Sequence, residues 1–439
     1  MAKTAAQNDS SSAKATADKW EETILGKILK ITMGQSPAGK NCNIRNKGLP
    51  LLNGPTEFNK HHPHPVQFTT DSKKIAEAGD LLFCVRGSTT GRMNWADQRY
   101  AIGRGVASLR HTNGLSLQPF LKAMVDYQLP SLLKSATGST FPNISRDQLF
   151  QHEILLPSLP EQHAIAAVFS AFDEKIELLR KQNQTLKAIA QNIFKQWFVD
   201  FKFPGYEKVK MVDSELEKIP EGWRVGTIGE LILDSIGGDY GKENVEDDFI
   251  VKTTCLRGTD LPDMKTNIPL KAPIRFLKES KINKCELVNG DIVIEISGGT
   301  ENQSTGRSMY INEEILSRSN VPMTCVNFCR ILRPKEISYS CFIYSYLDYL
   351  YNRGIFFNLE NGTTGIKNLN LKSLLNKNEI PLPSGDFIFK FDSKIRIFFT
   401  KIQKNNSQIQ TLSTLRDTLL PRLMRGDLRV RGAGMRVKN

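Results

Sequence analysis

Between Pro160 and about Phe198 the apolar positions recur in alternating steps of three and four: Phe169, Phe172, Ile176, Leu179, Asn183, Leu186, Ala190, Ile193 and Trp197. That is coiled-coil seam spacing, and it predicts one long helix with a partner along its length. Ser158 is placed to cap the start, with Glu161 closing a capping box. At 1.5 Å per residue the rod is about 55 Å long. The pattern returns at Ile395, Phe398, Ile402, Asn405, Ile409, Leu412, Arg416, Leu419 and Leu423. Gln184-Thr185-Leu186 and Gln410-Thr411-Leu412 fall at one register in the two seams, which two unrelated amphipathic helices would not share. Pro421 is expected to end or kink the second rod near its last turn.

The segments between the rods repeat as well. After Gly79-Asp80 comes an apolar strand and a polar loop ending Thr90-Gly91-Arg92. After Gly290-Asp291 comes another, ending Thr305-Gly306-Arg307. The stretch 137–145 is answered by 361–370, Trp20 with Leu25-Gly26 by Trp223 with Ile228-Gly229, and Leu156-Pro157-Ser158 by Leu382-Pro383-Ser384. The chain therefore reads as a tandem duplication: block, rod, block, rod. The expected fold class is α+β, with two globular domains separated by a long antiparallel two-helix coiled coil in a pseudo-two-fold repeat. The expected divisions are a disordered tail at 1–19, a first block at 20–158, a first rod at 159–200, a second block at 201–385, a second rod at 386–424 and a basic tail at 425–439. Antiparallel rods are favoured because a parallel pair needs a return path of the rod's length inside the second block. Such a chain would imitate a symmetric dimer, with one block at each end.

Charge narrows the function. The formal net charge of +13, over 439 residues, points to a polyanionic partner, nucleic acid before membrane. The seven cysteines form no CxxC pair, so neither a disulfide framework nor a zinc ribbon is indicated. Cys325 and Cys329 read as packed thiols, and a reducing cytoplasm fits. No apolar run approaches the length of a membrane span.

Catalytic signatures are weak. Pro262-Asp263 followed by Glu279-Ser280-Lys281 fits the loose spelling of a PD…ExK nuclease, but lacks the expected core strand. His61, His62 and His64 sit in a proline-bound loop without further metal ligands. There is no phosphate-binding GxxxxGK[ST], and Gly103-Arg104-Gly105 lacks the third glycine of a dinucleotide fingerprint. No Pro-Pro dipeptide is available for an amino-methyltransferase signature. What remains is binding. A Gly/Ser/Thr loop with arginine at its margins offers amides and hydroxyls to phosphates and guanidinium groups to guanine edges. The candidates are Arg86, Ser88, Thr89, Arg92, Thr140 and Asn143 in the first block. In the second they are Gln303, Ser304, Arg307, Thr364 and Lys367.

With these residues in place, the pattern resembles the specificity (S) subunits of type I restriction–modification enzymes. The resemblance rests on Leu156-Pro157-Ser158-Leu159-Pro160-Glu161-Gln162, on 173–186, on Ile193 to Phe201, and on Ile219-Pro220-Glu221-Gly222-Trp223. Leu419 to Met424 with Gly426-Asp427 closes it. It spans about Trp20 to Val430. It implies two target recognition domains reading the halves of a split DNA sequence, and spacer helices setting the gap. It implies a non-catalytic chain that recruits two methyltransferase (M) subunits and two motor-nuclease (R) subunits. S-adenosylmethionine, ATP and Mg²⁺ would then sit on the partners, with none in this chain. The adenine to be methylated at N6 would be flipped into a pocket the reader need not own. The rods with the Trp197-Phe198 edge are expected to form part of the M-subunit docking surface. Two departures stand out: Pro383 to Asp386 lacks the Pro-Glu-Gln of the first copy, and residues 1–19 have no counterpart. Two other classes stay open on the residues alone, a self-sufficient DNA nuclease or methyltransferase and a protein-only coiled-coil adaptor.

Overall fold

The computed structural model describes residues 20–59, 62–138, 142–266, 271–361, 366–431 and 434–437. The expected tail at 1–19 lies outside these residues, as do His61, Thr140 and Thr364. The chain forms two compact units, residues 1–175 with 413–439 and residues 176–412.

In the first unit, strand Glu21–Ile24 pairs antiparallel with Glu153–Leu156, clasping the head where its chain begins and ends. Inside the clasp a four-stranded sheet runs in the order Leu29–Met33, Val106–His111, Leu81–Cys84, Met93–Trp95. A second sheet of five short strands includes Leu49–Leu52 in parallel with Tyr100–Ile102. The helix Gln118–Ser135 buries Phe120, Leu121, Met124 and Val125 against the first sheet. The same core takes in Ile165, Ala166 and Phe169 from the first long helix and Leu423 and Met424 from the second.

The second unit repeats this plan. Arg224–Thr227 pairs antiparallel with Glu379–Leu382 as the clasp. Its four-stranded sheet runs Ile232–Gly237, Cys329–Pro334, Ile292–Glu295, Ser308–Tyr310, the same order as in the first unit. Helix Ser340–Asn352 covers it. Phe194, Trp197 and Phe198 of the first long helix meet Ile388, Phe391 and Ile395 of the second in one aromatic-rich core.

The long helices span Leu159–Phe198 and Gly385–Met424, close to the lengths read from the seams. Within the first unit, Arg416 donates to Asp173 at 2.9 Å. Within the second, Ile176 and Leu179 pack on Ile409 and Leu412, and Trp197 lies 5.5 Å from Phe387 between ring centroids. Rising positions on one helix meet falling positions on the other, so the pair is antiparallel inside each unit. Toward Phe198 the buried face shifts: Phe194 and Phe198 are fully enclosed, while the predicted seam residue Ile193 is only half-buried. Aromatic packing replaces narrow seam packing where the helix enters a globular core.

Pro421 lies in the last turn of the second helix, which ends at Met424, where Leu423 and Met424 enter the first unit's core. Two local expectations are corrected. Glu161 closes no capping box; its Oε2 accepts from Trp20 Nε1 at 3.0 Å and from Arg429 at 2.5 Å. Nor is the stretch after 424 a basic tail. Leu428–Arg431 and Gly434–Val437 form a hairpin, and Leu428 and Val430 are buried in the first unit's core.

Candidate nucleic-acid interface

Each head builds its interface from a strand that an aspartate anchors. Buried Asp80 accepts from Ser108, from the Arg110 guanidinium and from the Glu77 backbone ahead of strand Leu81–Cys84. Asp291 does the same ahead of Ile292–Glu295, receiving Arg333 through two hydrogen bonds of 2.8 and 2.9 Å and the Val288 amide at 2.9 Å. Those bonds hold the Arg333 guanidinium above its ordinary value. The Gly-Asp pairs visible in the sequence are thus the footings of the two Thr-Gly-Arg loops.

The loops return the same way. Gly91 N donates to Cys84 O (2.8 Å) and Cys84 N to Arg92 O (2.8 Å); Gly306 N donates to Glu295 O (3.0 Å) and Glu295 N to Arg307 O (2.8 Å). Both glycines have positive φ, +92° and +99°, a conformation that an L side chain resists. The second predicted loop of each head is brought against the first. Ile144 N donates to Val85 O at 3.0 Å, and Leu369 N to Ile296 O at 2.9 Å. Arg86 Nε donates to Asn143 Oδ1 at 3.1 Å. Ser297 Oγ donates to Asn368 Oδ1 at 2.5 Å.

The predicted residues divide into two groups. Arg86, Ser88 and Thr89 are exposed on the loop surface, with Asn143 half-buried beside Arg86. Thr140 and Thr364 lie outside the described residues. The others build the loops. Arg92 donates to the carbonyls of Pro55 (3.1 Å) and Phe58 (2.5 Å). Arg307 is bound through two nitrogens to Glu295, and Gln303 turns its amide oxygen to the same guanidinium at 3.0 and 3.2 Å. The hydrogen bonds that Arg307 donates to Glu295 hold its guanidinium above the ordinary value. Ser304 is 4% exposed. Lys367 lies 3.3 Å from Glu360 and 5.4 Å over the Phe357 ring, and Glu360 also accepts from Thr305 N and Oγ1 at 2.6 and 3.0 Å. Protein partners thus hold Arg92 and Arg307; Arg92 stays exposed at the surface, whereas Ser304 is buried. Withdrawing Arg307 would strand the buried Glu295 charge, at a cost of several kcal/mol, about 3–5. Sequence reading missed Glu295 and Glu360 because a carboxylate is an unexpected neighbour for a phosphate-binding loop. Their role is to hold the loop's cations.

The remaining chemistry candidates fall elsewhere. Glu279-Ser280-Lys281 opens the short helix Glu279–Cys285 rather than lying on a core strand. His62 Nδ1 lies 3.1 Å from Trp95 O, which ties the histidine loop to the first sheet. Cys255, Cys325 and Cys329 are buried as packed thiols, and burial pushes Cys255 and Cys325 up to about 12. No group of three or more metal-ligating side chains occurs among the described residues. No helix among them is long and apolar enough to cross a membrane. The Trp197-Phe198 edge, expected to face a partner, is enclosed by Phe387, Phe391 and Phe342.

Comparison with known proteins agrees with this geometry. The family described as "Type I restriction modification DNA specificity domain" matches residues 17–188 and again 220–413, one match for each repeat. The type I restriction enzyme MjaIX specificity subunit of Methanocaldococcus jannaschii is 32% identical over 307 residues, covering 67% of this chain and 64% of that protein. The chain thus spans less than two thirds of that relative's length. The type I restriction enzyme HindI specificity subunit of Haemophilus influenzae is 23% identical over 413 residues, covering 81% of this chain and 88% of that protein. The S subunit of a type I restriction–modification system from M. genitalium shares the fold, with a TM-score of 0.57 and 20% identity over 92% of this chain and 96% of that one.

Proposed function

Because the chain belongs to the type I restriction–modification DNA specificity family, we propose that it reads a DNA target in two separated halves, one for each head. The observation that carries this reading is the matched pair of loops. The two heads share strand order, aspartate footings and loop-closing hydrogen bonds, yet present different side chains. A common frame with divergent surfaces is what reading two different sequences requires. Arg86, Ser88, Thr89 and Asn143 are the contacts assigned to the first head. The excess positive charge supplies sequence-independent attraction to the phosphate backbone.

In this reading the chain catalyses nothing itself. It holds two methyltransferase subunits, which supply S-adenosylmethionine and the base-flipping pocket, and two ATP-dependent motor-nuclease subunits with their Mg²⁺. The antiparallel helix pair is the spacer between the half-sites. Comparing the host methylome with and without this gene identifies the target. Footprinting on that target should show two protected patches with an open gap. A single continuous patch, or protection indifferent to sequence, would overturn the proposal.

A further inference from the structure

Gly103-Arg104-Gly105, too short for a nucleotide-binding fingerprint, forms a tightly pinned turn in the first head. Gly103 N donates to Leu52 O (2.8 Å), Val106 N to Gly103 O (3.0 Å), Gln35 N to Ile102 O (2.9 Å) and Val85 N to Gly105 O (2.9 Å). The last bond sets the turn directly beside Arg86. Arg104 N also donates to Ser36 Oγ at 3.2 Å. A Cβ on Gly105 would stand 2.4 Å from Asn53 O, so the close approach requires glycine.

The second head repeats all four main-chain bonds. Val326 N donates to Leu256 O (2.9 Å), Cys329 N to Val326 O (2.9 Å), Asp239 N to Cys325 O (2.8 Å) and Ile296 N to Phe328 O (2.8 Å). The last again sets the turn beside the recognition loop, at Ser297. Arg104 thus corresponds to Asn327, and Gly105 to Phe328. Arg104 and Asn327 are exposed, and among the described residues neither side chain has a hydrogen-bond or ion-pair partner. Phe328 is 57% exposed.

A rigid turn holding an unpaired polar tip needs little further ordering to meet a base edge. A guanidinium matches guanine O6 and N7; a carboxamide matches adenine N6 and N7; an aromatic side chain packs on a thymine methyl group. We propose that these paired turns are base-reading elements: Arg104 selects a guanine in one half-site, and Asn327 with Phe328 selects an adenine beside a thymine in the other. The inference rests on the proposed reading of split DNA and adds specificity-determining residues outside the predicted loops.

The test is selection of duplexes from a randomised pool by the full chain, followed by sequencing. Recovery of a two-part motif by the unaltered chain supports the underlying reading; its failure to recover one would refute that reading rather than the assignment of the turns. Given a motif, Arg104→Ala should lose about tenfold to hundredfold discrimination at one guanine and leave the other half unchanged. Asn327→Ala and Phe328→Ala should relax only the other half, at neighbouring A and T positions. An unchanged motif, or a uniform loss of affinity across sequences, would overturn the assignment. Thermal melting serves as the folding control, since all three side chains are exposed.

Discussion

Asn405 Nδ2 donates to Asn183 Oδ1 at 2.9 Å, joining the two long helices through a polar contact at positions both seams predict to be internal. Asn183 Nδ2 in turn donates to Asn406 Oδ1 at 2.8 Å. Asn405 is 1% exposed. An amide contact of this kind sacrifices some packing energy and fixes register, because sliding either helix leaves the amides unpaired.

Asn183→Ala should therefore destabilise the second unit by about 1–3 kcal/mol, since it removes partners from two buried amides. The shift in urea midpoint at constant slope measures this. An unchanged midpoint would mean that the apolar seam alone sets the register.

Breaking the Glu295–Arg307 pair should cost more. Glu295→Ala leaves a buried guanidinium uncompensated, and a loss of about 3–5 kcal/mol is expected. Replacing both partners with apolar residues of similar volume should recover much of it. Calorimetric melting of the single and double variants separates lost attraction from stranded charge. Binding of the first half-site should be the same in each.

Arg86→Ala should weaken protection of one half-site only, with little change in melting temperature, because Arg86 is exposed and, among the described residues, its side chain donates to Asn143 alone. Footprinting at a series of salt concentrations measures this. Overall affinity should fall steeply with salt in both forms, as counterion release dictates.

Arg429→Ala should destabilise the first unit, although sequence reading placed Arg429 in a tail. It leaves the Glu161 carboxylate, largely buried, with Trp20 Nε1 as its remaining donor. A loss of about 2–4 kcal/mol is expected, read as a lower denaturant midpoint. Arg429→Lys should recover only part of it, because the ammonium lacks the planar fork.

Stability of the first unit should also decline as pH falls. Burial holds the His111 imidazole below its ordinary value of 6.5, so the unfolded chain binds the proton more readily than the folded one. Stability is then full above that value and is lost as pH drops through it toward the folded value. Melting temperatures between pH 7.5 and 5 should fall along a shallower slope in His111→Gln than in the unaltered chain.

How much of this was written in the sequence depends on whether a feature is local. The helices were legible because Ile176, Leu179, Ile409 and Leu412 repeat with a period that only a helix pair satisfies. The duplication was legible because Gly-Asp and Thr-Gly-Arg punctuate both heads. The roles of the loop arginines were not. Arg92 and Arg307 occupy matched places, each after Thr-Gly, but their partners, the Pro55 and Phe58 carbonyls and the Glu295 carboxylate, come from elsewhere in the fold. Burial of Phe198 was hidden for a similar reason. Trp197 was a seam position, but Phe198 lies off the seam and is enclosed only because Phe342 and Phe387 arrive from distant segments.

The clasp strands have a consequence for inheritance. Glu21–Ile24 lies against Glu153–Leu156, and Arg224–Thr227 against Glu379–Leu382, so each head leaves the frame beside the place it joined it. A stretch of gene coding for everything between two such strands can be exchanged for another of different length without altering the helices. Under the proposed function, one such exchange would change the half-site read by that head and leave the other head as it was.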